Sequence, residues 1–262
     1  MTAMICEISD HVATITLNRP ERMNTISSAM LDELTRTFVA VNENPDVRVV
    51  VLTGTGRAFC AGLDLNEASA GQGIGGKDRR PPETIDLRNT PPTVLFAMDK
   101  PVICALNGSA AGYGMDLALG CDIRIMADNA KLAAAFVKRG VVPESGGTWF
   151  LPRMLGWAKA AEIIFTGRTL SAADCLAERL VNQVVPADQV ASAARAMALE
   201  IAGNAPLAVR ASKRLMRMGL EETFETHVQH VYLQLLPLFA SDDFREGVTS
   251  FLEKRPAAFT GH

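Results

Sequence analysis

Residues 3–8 and 11–17 read as two short strands joined at Ser9-Asp10, and VATITL in the second alternates between apolar and polar. Asn18-Arg19-Pro20 ends that strand, because proline has no N–H for a ladder. Ser27 or Ser28 then caps a helix to about Asn42 that buries Met30, Leu34 and Val41. After the Asn44-Pro45-Asp46 turn, the β-branched run 47–53 stops at Gly54 and suits a strand covered on both faces. Strand, helix and parallel strand together predict an α/β fold.

The pattern breaks over 66–92, where ASAGQGIGGKDRRPPE reads as a mobile surface segment. Gly71, Gly73 and Gly76 have GxGxxG spacing, but no strand precedes them and no helix follows, so this is not a dinucleotide loop. Order returns with a helix at 94–98 and a strand at 102–106. A glycine-rich turn at 107–114 enters a helix near 112–119, and a strand follows at 122–127. Residues 131–142 hold a strand end and a short helix. PESGG at 143–147 opens a helix to Leu155. Helices near 157–165 and 171–177 and a strand at 181–185 come next. From Pro186 the chain reads as nearly all helix, at 187–203, 206–218, 221–236 and 241–253. The expected division is an α/β core over 1–200 and a helical C-terminal region over 201–262.

Composition narrows the function. The chain has 262 residues, 48% apolar and 21% charged, which excludes disorder and fibres. Its apolar runs are too short to span a membrane, and the N-terminal residues lack the basic-then-apolar order of a signal peptide. The net charge of −3 argues against general nucleic-acid binding, although a local basic patch can still hold phosphates. Five cysteines with no CxxC pair read as reduced thiols of a cytoplasmic protein. His227 and His230 lie one helical turn apart without a third ligand nearby, and read as helix histidines rather than a metal site.

Candidate chemistry sits in two glycine-rich turns, GRAFCAGLDL at 56–65 and NGSAAGYG at 107–114. Small residues let a ligand approach the main chain, and unpaired N–H groups favour an oxyanion. Both are also consistent with tight strand exits that bind nothing. Asp116 and Glu144 flank the second turn. Each can be a helix cap, and together they can share acid and base roles. No GxSxG occurs, and Cys60 reads as a small buried thiol.

Across LNRPERMN, GRAFCAGLDL, KPVICALNGSAAGYGMDLALGCDIRI, VPESGGTWFLPRMLG and SDDFREGVTSFLEKRPAAF the chain resembles the enoyl-CoA hydratase/isomerase, or crotonase, superfamily. The PESGGTWFLPR block and the tail are most similar to the branch containing ring-1,2-epoxyphenylacetyl-CoA isomerase. The resemblance implies a spiral of ββα units with C-terminal helices that assemble a homotrimer or hexamer. It implies an acyl-CoA substrate, with coenzyme A part of that substrate and no metal or redox cofactor. The thioester oxygen is then held by the backbone N–H groups of Leu63 and Tyr113, which stabilise an enolate by roughly 3–4 kcal/mol each. Substrate contacts fall on Arg22, Ala61, Asp64, Gly112 and Phe136.

The chain departs from the family pattern at three positions. Tyr113 stands where glycine is usual. The first hydratase glutamate falls on Asp116, one methylene shorter, and the second falls on Phe136, which transfers no proton. Glu144 matches the position of an isomerase acid. The expectation is isomerisation of an unsaturated or ring-derived acyl-CoA, with Glu144 as base and Asp116 assisting. Hydration of a 2-enoyl-CoA is the alternative, and a non-catalytic CoA-thioester- or RNA-binding scaffold is the alternative of another class. Phe136, Tyr113, Trp149 and the 66–92 segment are expected to line the acyl pocket, though Trp149 fits the core better.

Overall fold

In the computed structural model, which describes residues 2–69 and 87–262, the first alternating segment is a hairpin. β1 (Met4–Ser9) pairs antiparallel with β2 (Val12–Leu17) across Asp10-His11, one residue later than the sequence suggested. Both turn residues take positive φ, 48° and 62°, whose twist matches that of the strands. α1 (Ser28–Glu43) crosses over and returns the chain to β3 (Val49–Gly54), parallel to β2. Ser27 caps α1 by accepting from the Met30 amide, and Met30, Leu34, Phe38 and Val41 form its buried stripe.

The next units share one plan. β3 is followed by β4 (Ala58–Cys60), then by α2 (Leu65–Ser69) and α3 (Pro91–Ala97). β5 (Val102–Leu106) is followed by β6 (Ser109–Ala111) and α4 (Tyr113–Leu119). β7 (Ile123–Ala127) is followed by β8 (Lys131–Ala133), a 3-10 turn at Val137–Arg139, α5 (Gly147–Leu155) and α6 (Trp157–Thr166). β9 (Thr169–Ser171), α7 (Ala172–Ala177) and β10 (Gln183–Val185) complete the turns. The long strands form one sheet in the order β1-β2-β3-β5-β7-β10, and the short ones a second, β4-β6-β8-β9. This is the ββα spiral that the resemblance implied.

The second sheet corrects the sequence reading. β4 and β6 lie inside segments read as turns, and β9 falls in the gap between the helices read at 157–165 and 171–177, sharing only Ser171 with the second. Three residues cannot display an alternation, so period gave no signal. Residues 65–69, read partly as loop, are helical. Gly71, Gly73 and Gly76 lie outside the described residues.

α8 (Val190–Ala202) lies across β3, β5 and β7, with Ala194, Ala198 and Ala202 buried at four-residue spacing, so small side chains bring the helix onto the sheet. α9 (Pro206–Met218), α10 (Phe224–Phe239) and α11 (Asp242–Glu253) follow. Polar ties hold α9 to the core: Lys213 Nζ reaches Asp122 at 2.6 Å, and Arg214 reaches Asp99 at 2.6 Å.

Candidate active site

β4 and β6 are parallel neighbours, with Cys60 paired to Ala110. Leu63 and Tyr113 each lie three residues beyond that pair, so the two glycine-rich turns leave the sheet side by side. A Cβ on Gly62 would lie 3.7 Å from the Tyr113 nitrogen and 3.0 Å from the Ala111 oxygen. Gly62 takes φ +105° and Gly112 φ +54°, values that side chains oppose. The turn around Leu63 is pinned from behind: the Ile26 amide donates to Gly62 O at 2.9 Å, and the Asp64 amide donates to Ile26 O at 2.9 Å. Both bonds use the neighbours of Leu63. Among the described residues, neither the Leu63 nor the Tyr113 N–H has an acceptor in the protein. Two adjacent unpaired amides can hold an oxyanion.

Asp116 is 1% exposed in the first turns of α4. Its Oδ2 accepts from the Ser145 amide at 3.1 Å, and its Oδ1, which makes no well-aligned hydrogen bond among the described residues, packs against Gly147. A Cβ on Gly147 would lie 2.3 Å from Oδ1, so only glycine lets α5 begin so close. Burial pushes the Asp116 carboxyl up to about 7, the Gly147 and Ser145 amides pull it back in part, and the nearby Glu144 charge adds to the rise. Glu144 is solvent-exposed. The protein packed around it still strips enough water to raise its carboxyl above the usual range. Asp116 and Glu144 are thus brought together, one sealed and one open.

Tyr113 is 3% exposed, and burial keeps its phenol protonated. Its hydroxyl makes no well-aligned hydrogen bond among the described residues and lies beside the Ser145 side chain. Phe136 is also buried, with its ring edge 3.9 Å from the Cβ direction of Gly112, and forms an apolar wall beside the amide pair. Burial pushes the Cys60 thiol up to about 12, so it is no thiolate at neutral pH.

The remaining expected contacts are arranged differently. Ala61 and Gly112 border the amide pair, and the Ala61 amide itself donates to Met23 O at 3.0 Å. Arg22 is exposed in a 3-10 turn at Pro20–Arg22. Asp64 was expected to touch substrate, yet its carboxylate is engaged internally: Arg19 Nη2 reaches Oδ2 at 3.0 Å, and the Asn66 amide reaches Oδ1 at 3.2 Å. It braces the turn. Trp149 is half-buried and meets Phe96 and Phe150 edge-on at 5.2 and 5.1 Å, under the Arg153 guanidinium.

Ser145 and Asn24 were missed in the sequence. The Asn24 side-chain amide donates to Ala58 O at 2.8 Å and Thr55 O at 2.9 Å, fixing the entry to β4. The LNRPERMN run was the available signal for Asn24. Two cavities lie away from the amide pair. One of about 740 Å³ sits at the far end of α4 near Leu119 and Lys213, and one of about 540 Å³ sits between α10 and α11. Among the described residues no cluster of three or more His, Cys, Asp or Glu side chains could hold a metal ion, and no helix is long and apolar enough to cross a membrane.

The profile of the enoyl-CoA hydratase/isomerase family matches residues 7–262. The chain belongs to that family. It is 37% identical over 268 residues to the 1,2-epoxyphenylacetyl-CoA isomerase of Escherichia coli, covering 100% of this chain and 99% of that one. It is 37% identical over 262 residues to the (E)-benzylidenesuccinyl-CoA hydratase of Thauera aromatica, covering 97% and 98%. The crystal structure of an enoyl-CoA hydratase from Bacillus anthracis aligns with a TM-score of 0.91 at 34% identity over 100% of both chains. Membership makes this an acyl-CoA enzyme. An isomerase and a hydratase stand equally near, so membership does not choose the reaction.

Proposed function

We propose that the chain isomerises an unsaturated or ring-derived acyl-CoA through an enolate. The thioester oxygen lies between the Leu63 and Tyr113 amides. Glu144 takes a proton from a carbon conjugated with the thioester, the electron pair moves onto the oxygen, and a proton returns at another carbon. Enolate charge develops only as the proton leaves, so fixed donors aimed at it lower the barrier rather than merely tighten binding. A base works best when its pKa is near the operating pH, and the desolvated Glu144 carboxyl is shifted in that direction.

The observation that carries the reading is the set of carboxylates beside the amide pair. Glu144 is reachable from solvent, Asp116 is sealed and tied to Ser145, and Phe136 is apolar. Hydration needs a water held by two acceptors over the β-carbon, while isomerisation needs one reachable base. The unpaired Asp116 Oδ1 favours hydration as the second reading, because with Glu144 it could hold that water.

We infer assembly into a homotrimer or hexamer. No residue of α10 is buried, and Leu233, Leu236 and Phe251 are 67%, 60% and 82% exposed. Apolar area of that extent calls for a covering surface.

The test is α-proton exchange. A saturated acyl-CoA incubated with the enzyme in heavy water is expected to take up deuterium beside the thioester. No exchange by folded enzyme across a panel of acyl-CoAs would favour the non-catalytic scaffold and remove the proposal.

A further inference from the structure

Arg124 stands on β7 and is only 6% exposed. Its Nε donates to Leu180 O at 2.6 Å, and its Nη1 donates to Cys121 O at 2.6 Å and Leu119 O at 3.4 Å, at the far end of α4. These acceptors are neutral carbonyls. Among the described residues Nη2 has no acceptor, and no carboxylate forms an ion pair with the guanidinium. Asp122 is the acid within electrostatic reach, and it is committed elsewhere: its Oδ2 accepts from Lys213 Nζ at 2.6 Å and from the Val102 amide at 2.7 Å. Arginine is rarely buried without a counter-charge, because an uncompensated buried cation is costly.

Arg124 lines the cavity of about 740 Å³ at the far end of α4. That cavity presents four cations, Arg124, Arg153, Lys213 and Arg217, against one acid, Asp122. Asp122 neutralises Lys213, and Asp99, outside the cavity, neutralises Arg217 at 3.1 Å. Arg153 lies over the Trp149 ring at 3.9 Å and, like Arg124, pairs with no carboxylate among the described residues. Much of the remaining wall is apolar, with Phe96, Trp149 and Phe150 packed edge to face.

The structure assigns this cavity as a binding site for a carboxylate with an apolar body, such as a free medium-chain fatty acid, separate from the thioester site at the Leu63 and Tyr113 amides. The volume is that of an ordinary small-molecule site. A carboxylate supplies the acceptor and the counter-charge that Arg124 lacks, and its apolar body covers the aromatic wall. Inorganic phosphate would leave that wall bare. A neutral apolar molecule would leave Arg124 unpaired, and a cation would be repelled. Leu119 at the cavity and Tyr113 at the amide pair are six residues apart on α4, about 9 Å along its axis. The site does not depend on which reaction the enzyme performs.

The test compares octanoate with 1-octanol on the full chain, below the micelle concentration. Dissociation constants come from titration calorimetry, and Trp149 fluorescence is read in a Trp157→Phe protein, since Trp157 is 76% exposed and tolerates the change. Octanoate is expected to bind tenfold or more tightly than 1-octanol and to change the Trp149 emission. Arg124→Gln is expected to reduce that preference to within about threefold. Should Arg124→Gln fail to fold, Met216→Glu replaces it: Met216 is 74% exposed and lines the same cavity, and the added negative charge should weaken octanoate at least fivefold at low ionic strength while 1-octanol changes less than twofold. Saturating butyryl-CoA should leave octanoate affinity within about threefold. No saturable octanoate binding, equal binding of the alcohol, or binding that ignores both substitutions would overturn the inference. Displacement of octanoate by butyryl-CoA would make the cavity part of the acyl pocket and would also overturn it, leaving the enolate chemistry standing.

Discussion

The region around α4 and the C-terminal helices are incomplete in opposite senses. Every residue of α4 from Tyr113 to Leu119 is buried, yet two of its polar atoms make no well-aligned hydrogen bond among the described residues. In the C-terminal region Asp99 serves Arg214 and Arg217 and Asp122 serves Lys213, with Arg210 Nε the buried polar atom left over there among the described residues, while large apolar side chains face outward. Unpaired buried polar atoms call for a polar ligand. Uncovered apolar groups call for another apolar surface. On the readings proposed above, the first deficit belongs to chemistry and the second to assembly, and each can be disturbed without the other.

The largest effect is expected at Glu144. Glu144→Gln keeps the shape of the side chain and removes the base, so turnover should fall by at least about 10²-fold, within the usual range for a general base. Denaturant unfolding should change little, because the side chain is exposed. Near-normal turnover by a folded Glu144→Gln protein would remove Glu144 from the mechanism.

Gly114→Ala tests the packing that joins the two turns. Its Cβ would lie 2.2 Å from the Cys60 carbonyl oxygen, so β4 or α4 must shift. Overpacking of this kind costs about 1–3 kcal/mol, readable as a lower urea midpoint, with acyl-CoA affinity falling as Leu63 and Tyr113 separate. A wild-type midpoint would show that the two turns are not rigidly coupled.

The C-terminal deficit should break without touching the chemistry of a single chain. Leu233→Glu combined with Phe251→Glu is expected to shift light scattering from trimer or hexamer to a smaller species. Each site is exposed in the chain, so circular dichroism should be unchanged and the isolated subunit should lose no more than about 0.5 kcal/mol. A wild-type protein that is monomeric at micromolar concentration would remove the assembly proposal.

A smaller effect is expected in the pH dependence of stability. Burial raises Asp116 to about 7 in the folded protein, so between pH 4 and 7 the unfolded chain loses this proton first. The folded state then binds more protons, and stability falls as pH rises through that window. Asp116→Asn should lose less stability than wild type from pH 4 to 7. Parallel curves for the two proteins would place Asp116 in contact with water.

Much of this was legible in the sequence where period or sterics leaves a mark. The VATITL alternation, the 47–53 run and the helix stripe of Met30, Leu34 and Val41 each gave their element. Asp116 and Glu144 stood out as acids at helix starts beside a glycine-rich turn, whereas Leu63 and Tyr113 were marked out within those turns by the family resemblance. The second sheet was not legible, since β4, β6 and β9 have three residues each and their pairing is set by distant partners. The internal pairing of Asp64 with Arg19 was hidden for the same reason: 45 residues separate them, and only the fold brings them to 3.0 Å. Ser145 acts through its backbone amide, which no side-chain pattern reveals.

The choice between isomerisation and hydration is the central claim, and one comparison tests it directly. The kcat/KM for conversion of a 3-enoyl-CoA to its 2-enoyl isomer is measured beside that for hydration of crotonyl-CoA, on the same preparation. On the isomerase reading, a sealed Asp116 and an apolar Phe136 leave Glu144 as the one reachable acceptor, and misplacement of a second by about 1 Å can cost 10²-fold. Isomerisation should exceed hydration by at least about tenfold, close to 1.4 kcal/mol in barrier, and Phe136→Glu should narrow the gap by raising hydration. Efficient hydration by the wild-type enzyme, with no double-bond migration on any 3-enoyl substrate, would show that Asp116 and Glu144 hold a water between them and that the chain is a hydratase.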